Sequence, residues 1–173
     1  MIHRRFRRIV ALTSGLLLTA GLSLVAPPSA STAVATRAPA QTGTLVVNAR
    51  WGGHSTYDRL VIDLQGGVPS VTVTPVTHLV YDGSGKPVPL AGKSFLQIRL
   101  HPAAAHDDAG HSVYEGPKLQ KIYLPQLKGI ALTGDFEGYV TFGAAFATNP
   151  YYRTFTLHSP DRFVVDFAHG NRC

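Results

Sequence analysis

The chain has a single cysteine, Cys173, and it is the last residue. One cysteine cannot close an internal disulfide, so the fold has to hold without covalent staples. Cys173 itself is read as idle, because terminal residues are usually mobile. Charge is also sparse, at 15% of the residues, and the formal +6 is concentrated at the N-terminus. Without Arg4, Arg5, Arg7 and Arg8, twelve basic residues face ten acidic ones, a net charge of +2. No basic run with interleaved aromatics survives beyond that segment, so nucleic-acid binding is unsupported. No Gly-x-Ser-x-Gly elbow is present. No glycine-rich phosphate loop precedes a helix. Ser84 belongs to a glycine-rich turn. His54 and Ser55 lie near Asp58, but neighbours in sequence are not a triad. The chain therefore reads as a non-enzyme without a cofactor. After the first 35 residues, no segment keeps the apolar period of a helix over several turns, which argues against a helical domain.

What is present begins with an export signal. His3-Arg4-Arg5-Phe6-Arg7-Arg8 is a basic start, Ile9 to Val25 is apolar, and Pro27 to Ala35 offers small-residue cleavage sites. Residues 1–35 are thus expected to be a signal peptide with a helical core. The alternative is an uncleaved anchor, the only way this chain would engage a membrane. It is disfavoured because the apolar stretch barely reaches the ~20 residues a spanning helix needs. No cysteine near the cleavage region could carry a lipid. Residues 36–43 read as a linker, 44–169 as one domain, and 170–173 as a tail. A chain of about 138 residues after cleavage can bury about two-thirds of its unfolded surface.

The domain is organised around one strand written twice. Asp58-Arg59-Leu60-Val61-Ile62-Asp63-Leu64 returns as Asp161-Arg162-Phe163-Val164-Val165-Asp166-Phe167. Side chains alternate faces along a strand. Each copy therefore has one apolar face, and a second face with a valine between an arginine and an aspartate. Antiparallel pairing with Val61 opposite Val164 would set Arg59 against Asp166 and Asp63 against Arg162, as cross-strand partners that fix the register. These charges are assigned a structural role.

Between the copies, short alternating runs recur between turn signals. Strands are expected from Leu45 to Trp51, at Val71–Val76, Thr77–Tyr81, Lys86–Leu90, Phe95–Leu100, Leu119–Leu124, Ile130–Thr133, Tyr139–Phe142 and Tyr152–Leu157. Turns are expected at Asp82-Gly83-Ser84-Gly85 and across Gly134–Gly138, with loops at His101–Pro117 and Gly143–Pro150. Ala103-Ala104-Ala105 could make one helical turn at most. With the two copies of the repeat, about nine or ten short strands result, and they predict an all-β sandwich or barrel.

The run Phe155-Thr156-Leu157 with Pro160 to Asp166 resembles the closing strands of AMIN domains, β-sandwich modules of exported bacterial proteins that include peptidoglycan amidases. Together with Tyr57 to Val61, Asp82 to Val88 and Gly134 to Gly138, it is more closely similar to the AMIN-like domain of small secreted actinobacterial proteins. The resemblance spans about Thr44 to His169. It implies an AMIN-like β-sandwich in a secreted, envelope-associated module, with a cell-wall polymer such as peptidoglycan, or an envelope protein, as partner. It implies no catalytic residues. A small hydrolase is the weakest alternative.

Two clusters are candidate sites. Trp51, His54 and Tyr57 gather at one strand end, and Tyr151 and Tyr152 stand before another. Aromatic faces beside hydrogen-bonding groups suit glycans, and loops on a rigid scaffold are common binding places. Trp51 and Tyr57 could equally be core. His101, His106 and His111, with Asp107 and Asp108 between them, are weak metal candidates. Their spacing matches no standard ligand motif, and an exposed polar loop is the preferred reading.

Overall fold

The computed structural model describes residues 43–170. The expected signal peptide, most of the expected linker and Cys173 lie outside the described residues. The described chain is all β, as its alternating runs predict, with ten strands in two sheets. They are β1 (Thr44–Gly53), β2 (Tyr57–Gln65), β3 (Ser70–Val76), β4 (Ser94–His101), β5 (Ala103–Ala104), β6 (Leu119–Lys121), β7 (Leu127–Phe136), β8 (Tyr139–Phe146), β9 (Tyr152–Leu157) and β10 (Arg162–Ala168). The first sheet runs β5-β1-β2-β10-β9 and the second β3-β4-β8-β7-β6. Their inner faces share one core that includes Val46, Leu60, Ile62, Ile98, Phe142, Phe163, Val165 and Phe167.

The two copies of the repeat are β2 and β10, and they pair antiparallel with Val61 opposite Val164. Arg59 meets Asp166 as the register requires, with Nε donating to Oδ1 at 2.6 Å and Nη2 to Oδ2 at 2.9 Å. The other expected ion pair does not form. Asp63 lies opposite Arg162, but its carboxylate takes a two-pronged bond from Arg50 of β1, at 2.9 and 3.0 Å. Arg162 instead donates Nε to the carbonyl of Pro160. A neighbouring strand offered a better-placed guanidinium, which the comparison of two strands alone could not reveal.

Other departures have equally local causes. Thr77–Tyr81 and Lys86–Leu90 are not strands: they meet in one bridge, Val80 with Pro87. Pro87 and Pro89 remove the donors that a ladder needs. The segment instead lays Leu79, Val88 and Leu90 over the outer face of the second sheet, against Ala131 and Ala145. That face is made of small residues for this reason. A Cβ on Gly143 would stand 2.8 Å from Leu79 Cδ2, and one on Gly129 2.5 Å from Leu90 Cδ2. The run Gly143-Ala144-Ala145 therefore belongs to β8, although its small side chains read as loop. The turn expected across Gly134–Gly138 shrinks to Glu137 and Gly138, whose φ angles of 48° and 78° suit a tight hairpin. β7 accordingly extends on both sides of Ile130–Thr133. Only Leu119–Lys121 of the expected Leu119–Leu124 strand is regular. Ala103–Ala104 is extended and pairs parallel with β1, so it makes no helical turn.

Asp58 ties the sheets together. It lies on the inner side of β2 with 0% exposure. Its Oδ2 accepts the backbone N–H groups of Gln126 and Leu127, both at 2.7 Å, at the start of β7. Its Oδ1 is 2.7 Å from His169 Nε2, just past β10. Replacing it leaves several buried groups unpaired at once. Asp58→Ala is expected to lower the unfolding free energy by about 3–5 kcal/mol, and Asp58→Asn by less, since one acceptor remains. Urea unfolding followed through the single tryptophan, Trp51, measures this. A loss under about 1 kcal/mol would show that the sheets hold together without the carboxylate.

Candidate functional site

The register of the first sheet sets out its outer face in rows. Arg50, Val61, Val164 and Phe155 form one row. Gly52, Arg59, Asp166 and Arg153 form the next. Asp166 lies between two guanidiniums. Arg59 grips both its oxygens, and Arg153 donates Nε and Nη2 to Oδ2 at 2.9 and 2.8 Å. Both arginines also lie over the Phe155 ring, at 5.2 and 5.5 Å from its centroid, a placement that adds cation–π attraction. The Asp166 side chain is only 4% exposed. Burial pushes its carboxyl up, but the hydrogen bonds from Arg59 and Arg153 outweigh this and hold it below its ordinary value. The same bond raises the Arg59 guanidinium.

Beyond this row the sheet ends in a groove of about 650 Å³. Tyr57 at the start of β2, Tyr151 and Tyr152 at the start of β9, and Arg153 and Asp166 line it, with Thr56 at its rim. Backbone bonds from Ala168 N–H to the Tyr151 carbonyl and from His169 N–H to the Thr56 carbonyl hold the two segments beside β10. Tyr151 is 57% exposed. Tyr152 turns inward, its ring 6.5 Å from Phe167 and its hydroxyl 3.4 Å from the Val73 carbonyl of the other sheet.

The two aromatic clusters of the sequence thus converge in part. Tyr57, Tyr151 and Tyr152 share the groove. His54 does not line it but stacks on Tyr57, with ring centroids 4.4 Å apart. Trp51 lies opposite Leu60, on the inner side, and packs against the core. Sequence reasoning missed Arg153 as a site residue. The signal was available: a tight turn at His158–Asp161 closes β9 onto β10, and counting back from it sets Arg153 opposite Asp166.

The three loop histidines go to three different partners. His101 stacks on Tyr139, with centroids 4.1 Å apart. His106 Nδ1 lies 2.7 Å from Asp135 Oδ2, and His111 Nδ1 3.3 Å from Asp107 Oδ2. Among the described residues, no group of three or more His, Cys, Asp or Glu side chains is placed to hold a metal ion. A second concavity, of about 470 Å³, lies near Asp63, Gln65, Asn48 and Glu115.

Residues 44–169 match the family model described as the AMIN-like domain. No curated protein and no solved structure matches the chain.

The Asp166 cluster has a defined pH signature. A carboxyl held below its ordinary value contributes stability above the unfolded value, 3.8, and loses it as pH falls through the depressed folded value. Asp166→Asn should therefore cost about 1–3 kcal/mol at neutral pH, with the gap to the parent closing below pH 3.8. Thermal melts of both proteins from pH 7 down to pH 2.5 would show it. A constant gap across that range would assign the loss to packing alone.

Proposed function

The chain belongs to the AMIN-like domain family, and from that premise we propose that it is a secreted, non-catalytic cell-envelope module whose groove binds peptidoglycan or another wall polymer. The observation that carries this reading is the convergence of Tyr57, Tyr151 and Tyr152 on one concavity beside fixed polar groups. Ring faces give a sugar apolar contact, while polar groups at set positions choose its orientation. The groups suit holding better than chemistry. A general base needs a free lone pair and a value near the working pH. Asp166 suits that role poorly, because two arginines bond its oxygens and hold its carboxyl below its ordinary value.

A second reading, a protein–protein module partnering an envelope enzyme, is favoured by one observation. At the β7–β8 hairpin, Phe136 is 70% exposed beside Tyr139, which carries Arg99 4.8 Å from its ring centroid. This patch lies on the other sheet. The hydrolase alternative would need a concavity that joins His106 or His111 to a polar cluster. Neither concavity described above is lined by those residues.

Co-sedimentation with purified sacculi separates the readings. The protein should pellet with sacculi, and Tyr151→Ala, an exposed change that spares the core, should weaken retention about three- to ten-fold. A protein that stays in the supernatant at low and high salt alike would end the wall-binding proposal in favour of a protein partner.

A further inference from the structure

The charges in and behind the groove do not cancel. Arg59 and Arg153 converge on the single carboxylate of Asp166, so two fixed cations stand against one anion. Asp58 does not balance them. It lies on the opposite face of β2, and its oxygens are taken up by the Gln126 and Leu127 N–H groups and by His169. None of the other residues lining the groove is acidic.

The two arginines are also unequal. Arg59 is the more enclosed, with 28% side-chain exposure, and its fork is filled by both oxygens of Asp166. Arg153 uses Nε and Nη2 on one oxygen, and its Nη1 makes no hydrogen bond among the described residues. Its side chain is 63% exposed. Yet Asp166 and the Phe155 ring hold it in place. A guanidinium fixed in advance, with an open donor edge, loses little freedom on meeting a carboxylate or phosphate, and its planar fork matches either. The neighbouring Tyr151 presents an exposed ring at the same groove.

Resting on the wall-binding reading above, we infer that the groove selects an anionic sugar, one bearing a carboxylate or a phosphate. The anion docks on the open edge of Arg153 while the sugar ring packs on Tyr151. Neutral sugars lack the first contact and bind more weakly.

Three sugars of related ring structure test this by NMR titration of the purified protein: N-acetylglucosamine, N-acetylmuramic acid and N-acetylglucosamine 1-phosphate. At least one of the two anionic sugars should bind about ten-fold or more tightly than the neutral one. Which of the two wins identifies whether a carboxylate or a phosphate is the natural group. Arg153→Gln should abolish the preference, bringing the anionic sugars down to the affinity of the neutral one for the same variant, and Arg153→Lys should restore part of it. Melting temperatures of both variants guard against misfolding. Equal binding of all three sugars, binding of none, or a preference that survives Arg153→Gln would overturn the inference. Sacculus retention is scored separately. If sacculi are retained equally by parent and Arg153→Gln, the anion claim fails while wall binding stands; if the parent is not retained, the broader reading fails.

Discussion

A carboxylate with no solvent exposure stands between the two sheets. Asp58 begins the first copy of the repeated strand, and its inward direction follows from the period of two that also buries Leu60 and Ile62. A buried charge of this kind is tolerated only when donors surround it. Here those donors come from the other sheet and from the segment after β10. The bond to β7 fixes how the sheets stack at this end of the sandwich. The bond to His169 fixes the chain that leaves β10. Tyr57 is the next residue before Asp58, and Thr56 is held by the His169 backbone. The groove therefore inherits its position from a contact on the opposite face of the same strand.

The outer faces of the two sheets are finished in different ways. On the second sheet, glycines and alanines leave room for the segment carrying Leu79, Val88 and Leu90, which covers the face with a smaller apolar cluster. Its prolines keep it from becoming strands and so let it lie across the sheet. On the first sheet, no comparable apolar cluster forms over the face among the described residues. Instead, Arg50, Arg59 and Arg153 bond to Asp63 and Asp166, and Arg59 and Arg153 lie over the Phe155 ring. Long charged side chains can shield apolar surface while keeping their heads wet. Val164 is fully buried on this nominally outer face. The first sheet is thus the one left able to present charged and aromatic groups to a ligand.

Much of this could be read from the amino acids, and the rest fails for identifiable reasons. The repeat carries its own register in the order Asp, Arg, Val, Asp, and the pairing of Val61 with Val164 follows from it. The strand at Phe95–Leu100 is legible because one of its faces meets solvent. β8 is legible only over Tyr139–Phe142; beyond it the side chains on both faces are buried, and at Ala144 and Ala145 small, and a buried strand shows no alternation. The site was half legible. Exposed tyrosines near strand ends can be seen in a sequence. Their meeting depends on β9 being placed next to β10, and the role of Arg153 depends on a pairing partner 13 residues away across a turn. Trp51 could not be assigned by type, because a tryptophan at a strand end serves a core rim and a sugar platform equally well.

The repeat also explains why there is a groove at this end of the sheet and a different concavity at the other. Antiparallel pairing about Val61 and Val164 gives the two strands an approximate twofold relation, so Arg59 with Asp166 at one end corresponds to Arg162 with Asp63 at the other. The next strands outward break that symmetry. β9 brings a second arginine and the tyrosines to Asp166. β1 brings Arg50 to Asp63, displaces Arg162, and leaves a concavity bordered by Asn48, Gln65 and Glu115. One end is thus rich in guanidinium and aromatic groups, the other in carboxylate and amide groups. The same short motif, used twice, pairs the two strands in register, but only Arg59 and Asp166 keep the cross-strand ion pair, and the neighbouring β9 turns that end into a cationic, aromatic surface.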